Sequence, residues 1–178
     1  PRTFEIGRAY RNEGSSPEHL QEFTNCEFYF AYANYRDGMK LVRELYLEIA
    51  QKVFGTTKFE ARGHQFDLAD EWREIDYVSE VEKQTGINVL SASLDEMRAK
   101  LEALEVQYEG ENRERLTDTL WKYCRKNISG PAFLVHHPKL VAPLAKLRAD
   151  NQTVELFQPI IAGSEVGKGY SELNDPID

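Results

Sequence analysis

The chain has 178 residues, 41% hydrophobic and 29% charged, and its 22 Lys and Arg against 30 Asp and Glu leave a net charge of −8 and a pI near 5.1. That length carries one domain with a real core, while the acidity argues against a piece that holds nucleic acid by its own charge, since phosphate binding rests on clustered Lys and Arg. No run approaches the ~18 apolar residues of a membrane span, no signal peptide precedes the first strand, and Cys26 and Cys124 lie far apart without a CxxC spacing, so neither a disulfide framework nor a zinc site is implied and a cytosolic, cytoplasmic protein fits best.

"RTFEIGRAYRNE" (2–13) alternates Phe4, Ile6 and Tyr10 against Glu5, Arg8 and Arg11, which predicts a strand. "EFTNCEFYFAYA" (22–33) predicts a second strand, dense in aromatics and covered on both faces, with Cys26 as inert packing inside it. The connection between them is longer than a tight hairpin needs, and long hairpin loops often carry function. "RDGMKLVRELYLEIAQKVFG" (36–55) sets Val42, Leu45, Ile49 and Val53 at helical spacing, and Gly55 supplies the stop. "KFEARGHQFDL" (58–68) reads as a small hairpin turning at Arg62-Gly63, and "DYVSEVEKQTG" (76–86) as a short helix. "SLDEMRAKLEALEVQYE" (93–109) is a helix with Leu94, Met97, Leu101, Leu104 and Tyr108 on one stripe, opened by a Ser93/Glu96 capping box. "RERLTDTLWKYCRKN" (113–127) is another, built on Leu116, Leu120, Tyr123 and Cys124. After "PAFLVHHP" (131–138) and a crossing come two late strands, "TVELFQPIIAG" (153–163) and "SEVGKGYSELND" (164–175). Strands at both ends with helices gathered between them predict an α+β layout around a mostly antiparallel sheet. The chain begins inside a strand-like run and stops with no closing element, so it reads like a fragment.

In the second strand residues 23, 25, 27 and 29 share a face by the two-residue period. Phe23, Glu27 and Tyr29 then make an aromatic ring, a carboxylate and a phenol in a row, which suits either a ligand floor or the solvated face of a sheet. In the last strand Glu165, Gly167 and Gly169 fall on one parity and Val166, Lys168, Tyr170 and Glu172 on the other, and glycines inside a strand mark a close approach by a ligand or another backbone. "GSEVGKG" is not a phosphate loop: it has three residues between the glycines where four are needed, and no Ser or Thr follows Lys168. His136-His137 lacks metal-ligand spacing and reads as a surface pair at a strand end. The mixed charges from 95 to 118 read as a solvated helical face.

"FEIGRAYRNEG", followed by a His and "EFTNCEFYFAY", resembles motif 2 of the class II aminoacyl-tRNA synthetases, and specifically their lysyl form. "PAFLVHHPKLVAPLAK" resembles the strand and crossing that follow in that family, and "GSEVGKGYSELNDP" its segment before motif 3, so the resemblance runs through nearly the whole chain. It implies an antiparallel sheet flanked by helices, with a helical insertion at about 76–128. It also implies ATP-dependent activation of lysine to lysyl adenylate and transfer to tRNA, with ATP and Mg2+ required, a homodimer, and tRNA bound through the full-length protein. Arg11 matches the catalytic arginine on the α-phosphate, a role that suits a bidentate guanidinium because charge builds at phosphorus. Glu13, His19 and Phe23 match ATP contacts, Phe23 being the ring under adenine. Glu27, Tyr29, Lys168, Tyr170 and Glu172 match the lysine pocket, Glu172 receiving the substrate ammonium. Glu165 matches a magnesium ligand that also touches the phosphates, with Glu172 as a second metal candidate.

Three positions depart from the family. Gln158 stands where relatives carry a second acidic magnesium ligand, Lys168 where an Asn touches the substrate carboxylate, and Glu18 stands beside His19. The anticodon-binding barrel and motifs 1 and 3 are not in the sequence, so the isolated chain is expected to be a poor enzyme. A synthetase-like binding module without catalysis, and a related ligase that attaches lysine to another acceptor, are the alternatives. The resemblance also predicts that 2–12, 22–33, 153–163 and 165–173 are strands of one shared sheet.

Overall fold

The computed structural model describes residues 1–12, 14, 19–110 and 112–174, which fall into two compact units, Pro1–Ala33 and Asn34–Asp178. The first is a hairpin. β1 (Arg2–Tyr10) and β2 (Glu22–Phe30) pair antiparallel with Phe4 opposite Phe28, Ile6 opposite Cys26 and Ala9 opposite Phe23. Strong alternation and aromatic content favour the extended backbone, but neither face is covered as expected: Phe4 is 77% exposed, Ile6 64% and Tyr29 58%. Cys26 is exposed too, so it is not core packing.

The second unit begins with α1 (Tyr35–Ile49), capped by Asn34, whose side chain accepts from Arg36 N–H while Asp37 returns the bond to Asn34 N–H. The helix widens into a π-turn over Ala50–Phe54 and stops at left-handed Gly55. Its buried stripe is Tyr35, Met39 and Ala50, with Val42 and Tyr46 packed beside them. The expected stripe is therefore displaced: Leu45, Ile49 and Val53 are exposed, because α1 offers two apolar stripes and the one carrying rings meets Trp72, Phe133 and Phe157. β3 (Lys58–Ala61) and β4 (His64–Asp67) form the predicted hairpin, with Arg62 and Gly63 both at positive φ as a type I′ turn requires.

β5 (Arg73–Asp76), which the alternation did not reveal, leads into α2 (Tyr77–Thr85). Asp76 caps α2 by accepting from Ser79 N–H. α3 (Leu94–Ala103) has the predicted Ser93/Glu96 capping box. It stops short of 109, because the chain turns at Glu105 with positive φ. α4 (Arg113–Arg125) follows, then β6 (Ala132–Val135), β7 (Leu156–Ile161), and two short strands, β8 (Ser164–Glu165) and β9 (Gly169–Tyr170).

β5 to β9 form one mixed sheet in the order β5-β6-β7-β8, with β9 also on β7. β5 runs parallel to β6 and the other pairs are antiparallel. The sheet is therefore not wholly antiparallel, and the two ends of the chain do not share it. β7 has β6 on one edge and β8 and β9 on the other, which leaves it no edge for β1 or β2. Alternate residues face opposite layers. Ala132, Leu134 and Ile160 join Val81, Met97, Leu101, Leu116, Leu120 and Trp121 of the α2–α4 layer, while Phe133, Val135 and Phe157 join α1 and Trp72. The second of these layers explains two glycines: a Cβ at Gly38 would lie 3.0 Å, and at Gly169 2.5 Å, from the Phe157 ring. Gly169 thus marks close packing on a core ring. No helix among the described residues is long and apolar enough to cross a membrane.

Candidate functional site

The hairpin carries one half of the predicted residues. Arg11 N–H donates to Gln21 O at 2.9 Å, which extends the ladder one pair beyond β1 and fixes Arg11 on the face of Phe23, Asn25, Glu27 and Tyr29. The Arg11 guanidinium lies 5.4 Å from the Phe23 ring centroid, within cation–π reach. Glu27 is bracketed along its own strand: Tyr29 Oη donates to Oε1 at 3.0 Å and Asn25 Nδ2 to Oε2 at 3.4 Å. Directly across the ladder stands Glu5. Like charges opposed in this way are unfavourable, so this face favours a cation. Neither Asn25 nor Glu5 was singled out from sequence, although the parity of Asn25 placed it there. His19 is exposed on the described part of the loop, while Glu13 and Glu18 lie outside the described residues.

The second unit carries the other half. β8 places Glu165 against β7 with Ile160 as its partner, and β9 sets Tyr170 across from Leu156. Segment 171–173 continues beyond β9. Lys146 N–H donates to Ser171 O at 2.9 Å, Ser171 N–H to Glu155 O at 3.0 Å, and Glu172 bridges Ala145. α1 ties this edge down, with Tyr35 N–H donating to Ser171 Oγ at 3.0 Å and Tyr46 Oη to Val166 O at 2.8 Å. Lys168, Tyr170 and Glu172 are exposed on it.

Glu165 is exposed as well, its side chain 29% so, but its carboxylate is engaged by protein donors. Trp121 Nε1–H of α4 donates to its Oε1 at 2.6 Å, Arg125 Nε lies 3.9 Å from the same oxygen, and Gln158 Nε2–H donates to Oε2 at 2.8 Å. The Gln158 Oε1 meets His137 Nε2 at 2.7 Å. His137 is 4% exposed and packs against Tyr77 with ring centroids 5.2 Å apart and planes tilted by 54°, so it is a core residue and not half of a surface pair. Burial pushes its pKa down to about 4, with the Lys168 and His136 charges acting in the same direction against the Gln158 hydrogen bond. A neutral His137 donating Nε2–H to Gln158 orients the amide so that its NH2 faces Glu165. Its neighbour His136 takes a separate partner, Asp76, at 2.8 Å. Burial works to raise the Asp76 pKa, but hydrogen bonds from Ser79 N–H and His136 hold it below the ordinary value. Trp121 was absent from the predicted α4 stripe, although Thr117, Leu120, Trp121 and Cys124 repeat at i, i+3, i+4 and i+7 and all are buried.

The description "tRNA synthetases class II (D, K and N)" matches residues 1–178, and the chain belongs to that family. Within it, the chain is similar to proteins named lysine–tRNA ligase. It is 38% identical over 178 residues to that of Thermosipho melanesiensis, covering 99% of this chain and 36% of the relative. To that of Thermotoga maritima it is 37% identical over 176 residues, covering 98% and 35%. To that of Deinococcus radiodurans it is 35% identical over 181 residues, covering 99% and 34%. The chain thus spans about a third of the length of the curated relatives it matches.

The donor set around Glu165 does not fit a protein-held magnesium ion. Mg2+ uses one or two carboxylates plus substrate phosphates and waters, whereas the groups around Glu165 are donors: Trp121 and Gln158 give one hydrogen bond to each oxygen, and the Arg125 guanidinium stands 3.9 Å from Oε1. Among the described residues no group of three His, Cys, Asp or Glu is placed to hold a metal.

Proposed function

We propose that the chain is part of the catalytic domain of a lysine–tRNA ligase, which joins lysine to ATP and passes the lysyl group to tRNA. The observation that carries this reading is the match to lysine–tRNA ligases along the full chain, 38% identical in one of them, which takes in the Arg11, Phe23, Glu27 and Tyr29 face. Lysine's carboxylate oxygen attacks the α-phosphorus of ATP, the bond to the bridging oxygen breaks, and pyrophosphate leaves. A tRNA hydroxyl then attacks the carbonyl carbon of lysyl adenylate and releases AMP. Arg11 draws charge from the α-phosphate, where guanidinium hydrogen bonds gain strength as phosphorus becomes more negative. Phe23 offers its ring face to adenine, and His19 serves the nucleotide from the loop. On the hairpin, Glu27 and Tyr29 offer a carboxylate and a phenol to an ammonium of lysine; on the second unit, Glu172 offers a further carboxylate, with Lys168 and Tyr170 along the same edge. Magnesium belongs to this reading as the companion of ATP.

Lysine titrated into the wild type and Glu172→Gln by calorimetry tests the assignment. The variant keeps the shape and loses the charge, so affinity falls by one to two orders of magnitude, about 1.4–2.8 kcal/mol. Equal binding in both removes Glu172 from the site. No lysine binding to the wild type defeats the reading for this chain.

A further inference from the structure

We infer that the Glu165 carboxylate is held by donors from α4 and by the amide of Gln158, so that it locks the helical layer to the sheet and binds no divalent cation on its own. Four groups converge there. The indole N–H of Trp121 and the amide of Gln158 occupy separate oxygens at 2.6 and 2.8 Å, and the Arg125 side chain, 9% exposed, brings its Nε to 3.9 Å. Behind them buried His137 fixes the amide at 2.7 Å. The result is a chain of donors pointing one way: His137 Nε2–H into Gln158 Oε1, Gln158 Nε2–H into Glu165, and Trp121 Nε1–H into Glu165. Each of these three donors finds its acceptor, and the carboxylate's charge faces a buried guanidinium. A carboxylate waiting for a cation has the opposite surroundings, other carboxylates in place of donors and a guanidinium.

The residue at 158 decides between the two states. A second carboxylate there would stand 2.8 Å from Glu165 and would need a cation between them; an amide there supplies a hydrogen and needs none. His137 serves either case as a donor, which makes position 158 the discriminating one. Divalent cations then reach this site only when nucleotide phosphates carry them in. The inference takes from the proposed function only that ATP is the metal's carrier.

Two measurements without lysine or nucleotide test it, so a chain that fails to activate lysine can still pass. The first is the melting temperature of Glu165→Gln. An amide at 165 must turn its NH2 toward either the Trp121 indole N–H or the Gln158 amide, donor against donor, and it loses the charge facing Arg125. The melting temperature drops by about 2–4 °C or more. A rise, or no change, overturns the inference, because neutralising a carboxylate held ready for a cation relieves repulsion. The second is a titration of Mn2+ alone, followed by electron paramagnetic resonance. The wild type binds no ion at this site up to millimolar concentrations, and Gln158→Glu gains affinity on the order of tenfold or more. Micromolar binding to the wild type, or equal affinity in the two chains, overturns it. If Gln158→Glu is not recovered folded, the Glu165→Gln melt and the wild-type titration decide.

Discussion

His137 shows what one buried side chain imposes. Its folded-state pKa of about 4 lies below the ordinary value of 6.5. Above pH 6.5 both folded and unfolded chains hold it neutral, and its contribution to stability is complete. As pH falls from about 6.5 to 4, the unfolded chain takes up a proton that the folded chain refuses, so stability drops by up to roughly 1.4 kcal/mol per pH unit and levels off below that range. Carboxylates such as Asp76, whose pKa is lowered, also lose stability toward acid, so the His137 share is read as a difference. Urea midpoints of the wild type and His137→Asn should converge as pH falls from 7 to 4, about where the histidine's window closes. Parallel curves would show that His137 does not titrate this way.

At the scale of elements, α2, α3 and α4 and the 58–68 hairpin were legible in the sequence because their signals are local: capping residues, Arg62-Gly63, and apolar spacing within one turn. β5 was not, since "REID" alternates no more than a loop does and is a strand only because β6 lies beside it. The late strand broke into β8 and β9 for a similar reason, as each short piece is defined by its partner on β7. The α1 stripe misled because two apolar stripes compete and only tertiary contact chooses between them. At the site, the two-residue period placed Phe23, Glu27 and Tyr29 on one face and the register of β1 on β2 adds Arg11 to it, whereas the Trp121–Glu165–Gln158 cluster joins three elements and has no local signature. Asp76 offers a test at this scale, being both the N-cap of α2 and the partner of His136. Asp76→Ala removes both bonds and should cost about 1–3 kcal/mol, measured by urea unfolding at pH 7. A loss below about half a kcal/mol would show that α2 is held by packing alone.

At the scale of the molecule, the two units differ in how they are built. Asn34–Asp178 has layers on both sides of a sheet, with Val81, Leu101, Leu134 and Ile160 fully buried. Pro1–Ala33 is a two-stranded ribbon with Phe4 and Ile6 exposed, the kind of element that is marginal by itself. A core of the first sort opens cooperatively, and a ribbon of the second sort opens strand by strand.

Each unit also holds one cysteine. Cys26 sits exposed on β2 opposite Ile6, while Cys124 is fully buried in α4, its thiol pushed up to about 12 by burial and then by the nearby Glu80 charge. Only a thiolate attacks a disulfide reagent, and Cys124 is both buried and held as the thiol at pH 8, so it should react much more slowly than the exposed Cys26. An aromatic disulfide reagent should therefore release one equivalent of chromophore promptly from the native chain and the second only as the helical layer opens. Two prompt equivalents would show that this layer breathes freely. With no label introduced, the pair of thiols works as two clocks on one chain, the first running from the moment of mixing and the second started only by the opening of the core.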